Sequence, residues 1–331
     1  MGVVGTLRSD ERRQGLLDET RTAYAEIRTR RDSQGRTKLV PLDEARANRL
    51  VIDFALEPPH PPASPGIHTQ PVAISTLHPY IDWTPFFRTW ELKCRYPAIL
   101  DHPAMGATAR ELFADAQAML DQAGADGWFG LGAVVGILPA NANDDTIEIY
   151  ADDTRERVVA ILPTERQRGR KSGGQPHLAL ADFLAPKGTP DWIGAFVVTA
   201  GIGLSERVAA LKAAGNDYDA ILLESLADRL AEASAEYHHT LVRRELWGYA
   251  ADEDLANDAL IAERYAGIRP APGYPSCPNH AQKQLIFDLI GATEATGATL
   301  TENFAIDPAA SVAGWYFAHP RSRYFGVGKT S

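Results

Sequence analysis

Two apolar runs, residues 127–140 and 191–204, constrain the fold more than any other part of the chain. Each is shorter than the roughly 20 residues that a membrane-spanning helix needs. Both are rich in glycine and valine, which points to strands buried on both faces. Residues 132–138 and 192–199 are therefore predicted strands, and 146–150 alternates as a half-buried one. Residues 157–162 make a further strand. Segments 311–317 and 324–327 read as a strand pair around the turn His319-Pro320-Arg321-Ser322.

The covering elements are helical. Residues 107–122 place Leu112, Phe113, Ala116, Met119 and Leu120 on one side. The longest helix is predicted over 219–246, with Ile221, Leu222, Leu226, Leu230, Ala233, Tyr237 and Leu241 as its buried stripe. Shorter helices are expected over 178–184, 256–264 and 282–296. Ser9-Asp10-Glu11 reads as a helix start, because carboxylates favour the first turn. Residues 28–38 read as an exposed connection. Six prolines between residues 57 and 71 (Pro58, Pro59, Pro61, Pro62, Pro65 and Pro71) predict an extended arm. Strands and helices mix without a regular βαβ alternation, which favours an α+β fold over a doubly wound one.

With 331 residues and 45% hydrophobic side chains, the chain can bury a substantial core as one large domain or two ordinary ones. The 33 Lys and Arg against 43 Asp and Glu leave a net charge of −10. That balance argues against broad nucleic-acid binding and against docking on an anionic membrane. The cysteines, Cys94 and Cys277, lie far apart, which predicts free thiols in a reducing compartment and a cytoplasmic protein. Cys277 is expected to be an inert buried thiol. The N-terminus lacks the pattern of a signal peptide. Its Gly2-Val3-Val4-Gly5 looks like a strand end with no strand before it, so the chain is expected to be cut from a longer polypeptide.

Familiar catalytic motifs are missing. There is no P-loop and no nucleophile elbow, and the cysteines and histidines lack zinc spacing. Gly130-Leu131-Gly132-Ala133-Val134-Val135-Gly136 imitates a dinucleotide fingerprint, but its glycines sit inside an apolar run and read as buried-strand glycines. His238 and His239 are adjacent, so on a helix they point about 100° apart and cannot chelate together. No catalytic residue and no metal ligand is assigned, and a binding site is favoured over a nucleophile.

Three constellations remain. Glu224, Asp228, Glu232 and Glu236 recur every four residues on the long helix, which stacks them on one face. They form either a solvated face or a cluster awaiting a cationic group. The stretch Gly267-Ile268-Arg269-Pro270-Ala271-Pro272-Gly273-Tyr274-Pro275-Ser276-Cys277-Pro278-Asn279-His280 fixes an irregular ribbon whose backbone groups cannot all pair internally. It is either a rigid turn or a ligand cradle with Arg269 placed to hold a carboxylate. In Tyr80-Ile81-Asp82-Trp83-Thr84-Pro85-Phe86-Phe87, Asp82 is either the N-cap of a helix beginning near Pro85 or a ligand acceptor.

The chain resembles the C-terminal activation domain of cobalamin-dependent methionine synthase. The resemblance rests on that aromatic segment and on Ala227-Asp228-Arg229-Leu230-Ala231-Glu232-Ala233, Trp247-Gly248-Tyr249, Tyr265-Ala266 with the ribbon through Pro275, and Ala310-Ser311-Val312-Ala313-Gly314-Trp315-Tyr316-Phe317. It implies a C-shaped α+β domain around a twisted antiparallel sheet flanked by helices. It further implies a charged helical linker over residues 1–50, following a cobalamin-binding domain, and an S-adenosylmethionine-binding activation domain over 51–331. The implied function is reductive reactivation, in which the domain presents the methyl group of S-adenosylmethionine to cobalamin that has been oxidised to cob(II)alamin. It makes the chain part of a 5-methyltetrahydrofolate–homocysteine methyltransferase, although this part alone is not expected to make methionine.

Carried over by motif, the resemblance gives Asp82, Glu232, Arg269, Ala271, Gly273, Tyr324 and Phe325 to S-adenosylmethionine. Asp82 would contact its amino group. Asp228, Tyr274 and His280 would face cobalamin, which a neighbouring domain holds. The implied partners are that domain and a flavodoxin or flavoprotein reductase, with neither nucleic acid nor membrane involved. The basic run Arg166, Arg168, Arg170 and Lys171 is the expected docking edge for the acidic reductase. The competing reading is a non-catalytic capping domain for a cobalamin module, its small-molecule pocket lost.

Overall fold

The computed structural model of the chain describes Thr6, Leu7 and residues 9–33 and 39–328. The motif Gly2-Val3-Val4-Gly5 lies outside these residues, as does part of the expected connection at 28–38. The chain divides into two compact units. One comprises residues up to Asn48 together with Arg168–His177, and the other comprises Arg49–Gln167 and Leu178 onward.

The first unit holds helix α1 (Asp10–Ser33) and helix α2 (Leu42–Ala47). The described side chains of α1 are almost all exposed and its sequence is highly charged, so it gains little from burial. Below it, the Val40 amide donates to the Arg168 carbonyl at 2.8 Å, and the His177 amide donates to the Asn48 carbonyl at 2.9 Å. These bonds tie a distant loop into the unit.

In the second unit the two apolar runs become the long central strands of an antiparallel sheet. In chain order the strands are β1 (Gly66–Thr69), β2 (Gly130–Asn143), β3 (Thr146–Tyr150), β4 (Val158–Pro163), β5 (Asp191–Ile202), β6 (Thr299–Leu300), β7 (Ile306–Asp307) and β8 (Ser311–Tyr316). The main sheet runs β4-β3-β2-β5-β8, with β1 also pairing β2, and β6 and β7 form a separate pair. The proline arm thus ends in a strand, β1, whose Gly66–Thr69 lies antiparallel to Val134–Ile137.

Alternation along β2 and β5 sends side chains to both faces. Val134, Ile193, Ala195, Val197 and Trp315 join one core cluster with Ile286 and Ile290. Val135, Ile137, Phe196, Val198 and Tyr316 join another with Ala235, Val242 and Trp247. A helix layer therefore covers each face. The first layer contains α9 (Gln282–Ile290) and α10 (Ala292–Thr296), and the second contains α7 (Asp217–Leu241). Beside α7 pack α3 (Ile74–Leu77), α4 (Trp83–Thr89), α5 (Gly106–Asp126) and α6 (Leu204–Ala213), while α8 (Asn257–Ile261) is a short turn further on. The fingerprint-like glycines serve packing. A Cβ on Gly136 would stand 2.6 Å from the Ile290 side chain, and one on Gly132 would stand 2.8 Å from the Thr296 carbonyl.

Several expectations are corrected. Residues 324–327 form no strand. The outer edge of β8 is instead taken by the ribbon, where Ile268 and Phe317 exchange both backbone hydrogen bonds at 3.0 Å. The helix expected over 282–296 breaks at Gly291, whose φ of 59° lies in the left-handed region and ends α9. The helix expected over 178–184 is a single tight turn, Leu180–Phe183. Ile221 is 47% exposed, because Leu222, Leu226 and Leu230 set the buried stripe and Ile221 lies off it. The long helix ends at Leu241 and continues as one π-turn, Val242–Leu246, which carries the fully buried Arg243.

Candidate functional site

A cleft of about 450 Å³ opens where α7, the start of β8, the ribbon and the C-terminal segment meet. Its walls include Phe196 and Val312 from the sheet, Glu232 from α7, Glu263, Arg269 and Ala271, and the aromatic rings of Tyr274, Tyr324 and Phe325. That volume falls within the range of small-molecule sites.

The ribbon keeps its shape through the chemistry of proline and glycine. The Trp315 amide donates to the Pro270 carbonyl at 3.0 Å, which fixes the ribbon to β8. Beyond it the Tyr274 amide donates to the Ala271 carbonyl at 3.2 Å, and the Gly273 amide to the Cys277 carbonyl at 2.7 Å. Pro270 and Pro272 have no amide hydrogen. The Ala271 amide bonds to no acceptor among the described residues. Gly273 has a φ of +104°, and a Cβ there would meet the His280 imidazole at 2.3 Å. Gly314 lets the ribbon approach, since a Cβ there would stand 2.9 Å from the Pro270 carbonyl oxygen.

Arg269 is the most constrained side chain of the cleft. Its Nη1 donates to Glu236 Oε2 at 2.6 Å and to the Tyr265 hydroxyl at 3.3 Å. Its backbone amide donates to the Tyr324 hydroxyl at 3.0 Å, so Tyr324 links the C-terminal segment to the ribbon. Burial is the largest single influence and disfavours the Arg269 charge, but Glu236, Tyr265 and Tyr324 together outweigh it and hold the guanidinium more firmly protonated. Nε and Nη2 bond to no acceptor among the described residues. One edge of the guanidinium is thus gripped and the other is left for a ligand acceptor.

Glu236 is buried and also lies 3.8 Å from Arg243 Nη1. Arg243 in turn is held by Glu253 at 2.7–3.0 Å and stands 4.2 Å from the Tyr265 ring centroid. His239 stacks on Tyr316 at 5.0 Å and meets Tyr265 edge-on at 4.8 Å. Burial, then Arg243 and Arg269, push its pKa well below the usual imidazole range. Glu263 at the cleft wall is pushed up by burial, with Arg269 opposing.

The sequence-based residues separate into groups. Glu232, Arg269, Ala271, Tyr274, Tyr324 and Phe325 meet at the cleft, and Gly273 shapes its ribbon. Asp82 instead caps α4, accepting from the Thr84 amide at 2.9 Å, and does not line the cleft. Asp228 and His280 are also off the lining, with His280 Nδ1 lying 3.0 Å from Lys283 Nζ. The four-spaced carboxylates do not act as one cluster. Glu224 pairs with Lys212 at 3.3 Å, burial raises the pKa of Asp228, Glu232 faces the cleft and Glu236 is buried on Arg269. Sequence reasoning missed Glu263, which carries no motif, and missed the partners of Glu236.

The proposed basic edge also changes. Arg166 is buried between Asp145 and Asp182, at 2.6 and 2.7 Å, and cannot meet a reductase. Arg168 donates from Nε to the Val40 carbonyl at 3.0 Å. Cys277 is buried, its thiol pushed up to about 12 by burial, and it donates to Gln282 Oε1 at 2.8 Å. Among the described residues no cluster could hold a metal ion, and no helix is long and apolar enough to cross a membrane.

Residues 73–331 match the family described as vitamin B12 dependent methionine synthase, activation domain. A solved structure, the crystal structure of the MetH reactivation domain bound to AdoHcy, is similar at a TM-score of 0.87 and 46% identity. The match covers 88% of this chain and 90% of that one. The family match spans more than three quarters of the sequence and the fold agrees with it, so this chain belongs to the family of vitamin B12-dependent methionine synthase activation domains.

Proposed function

We propose that the cleft binds S-adenosylmethionine and offers its methyl group to cobalamin held by a neighbouring domain of the same enzyme. The observation that carries this reading is the half-gripped Arg269 in one cleft with the Glu232 and Glu263 carboxylates and four aromatic rings. These groups complement the parts of the ligand in turn. The open guanidinium edge suits a carboxylate, the acidic side chains suit an ammonium and a sulfonium, and the rings suit a purine face. The solved relative is bound to AdoHcy, S-adenosylhomocysteine, which is the same molecule after loss of the methyl group.

The protein's part is binding and orientation. Arg269 and Glu232 hold the amino-acid end, and the Ala271 amide is free to donate to the nucleoside. Tyr324 and Phe325 close one side. Tyr274, 62% exposed at the ribbon tip, and the exposed His280 and Asp228 are the residues that would meet the docked cobalamin domain. Asp82 has its Oδ1 engaged at the helix cap, which leaves Oδ2 as the atom for the ligand ammonium. Cobalamin supplies the cobalt nucleophile that accepts the methyl group, and a flavodoxin or flavoprotein reductase supplies the electron. Because a sulfonium leaves as a neutral thioether, the site needs positioning more than acid–base catalysis.

Calorimetric titration tests this. S-adenosylhomocysteine should bind and raise the melting temperature. Arg269→Ala should weaken binding about tenfold or more, since a hydrogen bond to a charged group is worth about 1.5–3 kcal/mol. Absence of both heat and thermal protection would leave a capping domain as the function.

A further inference from the structure

We infer that Glu236 is a positioning residue that sets recognition of the ligand's amino-acid end by holding Arg269. This rests on the ligand reading above and extends it to residues that do not touch the cleft. Glu236 is 6% exposed and does not line the cleft, so its carboxylate acts on a ligand only through another group. Its Oε2 takes Arg269 Nη1 at 2.6 Å, while its Oε1 faces Arg243 Nη1 at 3.8 Å. Arg243 is fully buried and cannot swing away. Glu253 holds its Nε and Nη2, and Thr240 Oγ1 accepts from Nη2 at 3.1 Å. The order Glu253, Arg243, Glu236, Arg269 is an alternating row of two anions and two cations that passes through the buried Arg243 and Glu236 to the cleft wall.

That row makes α7 a ruler. Glu232 and Glu236 are one helical turn apart on the same face. Glu232 reaches the cleft directly, and Glu236 reaches it through Arg269. The separation between an acceptor for an ammonium and a donor for a carboxylate is therefore fixed by the helix backbone. A free arginine would have to order its long side chain on each binding event, which opposes affinity. A gripped one is already in place. The class of molecule selected is one carrying an α-amino-acid zwitterion, as distinct from a bare nucleoside.

The test compares two ligands that differ in that end. S-adenosylhomocysteine carries the zwitterion, and 5′-methylthioadenosine keeps the adenosine and thioether without it. Glu236→Gln keeps the shape and removes the charge. It should weaken S-adenosylhomocysteine about tenfold or more and leave 5′-methylthioadenosine within about twofold of the parent. In an Arg269→Ala background, Glu236→Gln should add no further loss, as expected when one residue acts through the other. Retained nucleoside binding reports that the variant is folded. Tyr265→Phe, which removes the second acceptor of Nη1 together with a hydroxyl bonded to Tyr324, should weaken S-adenosylhomocysteine about two- to fivefold. Equal loss of both ligands, or no loss of S-adenosylhomocysteine, overturns the inference while leaving the functional reading intact. If the unsubstituted chain binds neither compound, the ligand reading itself fails and the positioning role falls with it.

Discussion

Arg166 and Asp182 face each other fork to fork, with Nη1 2.9 Å from Oδ2 and Nη2 2.7 Å from Oδ1. Asp145 adds a second carboxylate at Nε, 2.7 Å away, and the Arg166 side chain has no solvent exposure. Such a group belongs to the interior of the fold. Arg166→Glu should therefore destabilise the protein by about 3–5 kcal/mol, because it removes a buried pair and sets a third carboxylate among two. Chemical denaturation measures this. A stable variant whose only defect is slower association with a reductase would restore Arg166 to a docking surface.

Asp82 separates capping from binding. Asp82→Ala should lower stability by about 1 kcal/mol through loss of the α4 cap. Asp82→Asn keeps a cap acceptor and should melt with the parent. If Oδ2 meets the ligand ammonium as proposed, Asp82→Asn weakens S-adenosylhomocysteine binding at an unchanged melting temperature. Unchanged affinity confines Asp82 to the cap.

Gly314 tests the contact between sheet and ribbon. A Cβ there would stand 2.8 Å from the Phe196 ring and 2.9 Å from the Pro270 carbonyl. Gly314→Ala should cost about 1–3 kcal/mol, as overpacking does. Because Phe196 and Pro270 both line the cleft, ligand affinity should fall as well. Melting and titration of the same variant check the two effects.

The paired imidazoles give a pH dependence of known sign. Burial holds the pKa of His238 below its ordinary 6.5, and that of His239 well below it. Below about pH 6.5 the unfolded chain takes up protons that these folded imidazoles refuse. Their contribution to stability is present in full above 6.5 and is lost as pH falls toward the folded values. The melting temperature should drop between pH 7.5 and 5.5, and His239→Phe, which preserves stacking on Tyr316, should flatten that drop. Equal slopes in parent and variant would exclude His239 as a source.

Much of this protein was legible locally. Glycine and valine in 127–140 and 191–204 announced the two central strands, because a run of that composition and length is stable only as covered sheet. The period of Leu222, Leu226 and Leu230 announced α7, and Asp82 before Trp83-Thr84-Pro85 announced a cap. The proline pattern of the ribbon announced an irregular backbone, since proline removes a donor wherever it stands. These are properties of a residue and its near neighbours.

What the sequence could not decide was partnership at a distance. Glu236 looked like one of four equivalent carboxylates, and only the fold brings it to Arg269, 33 residues later. Arg166 looked like part of a docking edge until Asp145 and Asp182 enclosed it, and Glu263 had no motif to mark it. The outer edge of β8 went to Ile268 instead of the alternating 324–327, because edge pairing depends on which segment the chain path delivers there. Charge, periodicity and proline determine what each segment can do. Burial and long-range ion pairing, which depend on the whole packed structure, decide which carboxylate holds an arginine and which is left for a ligand.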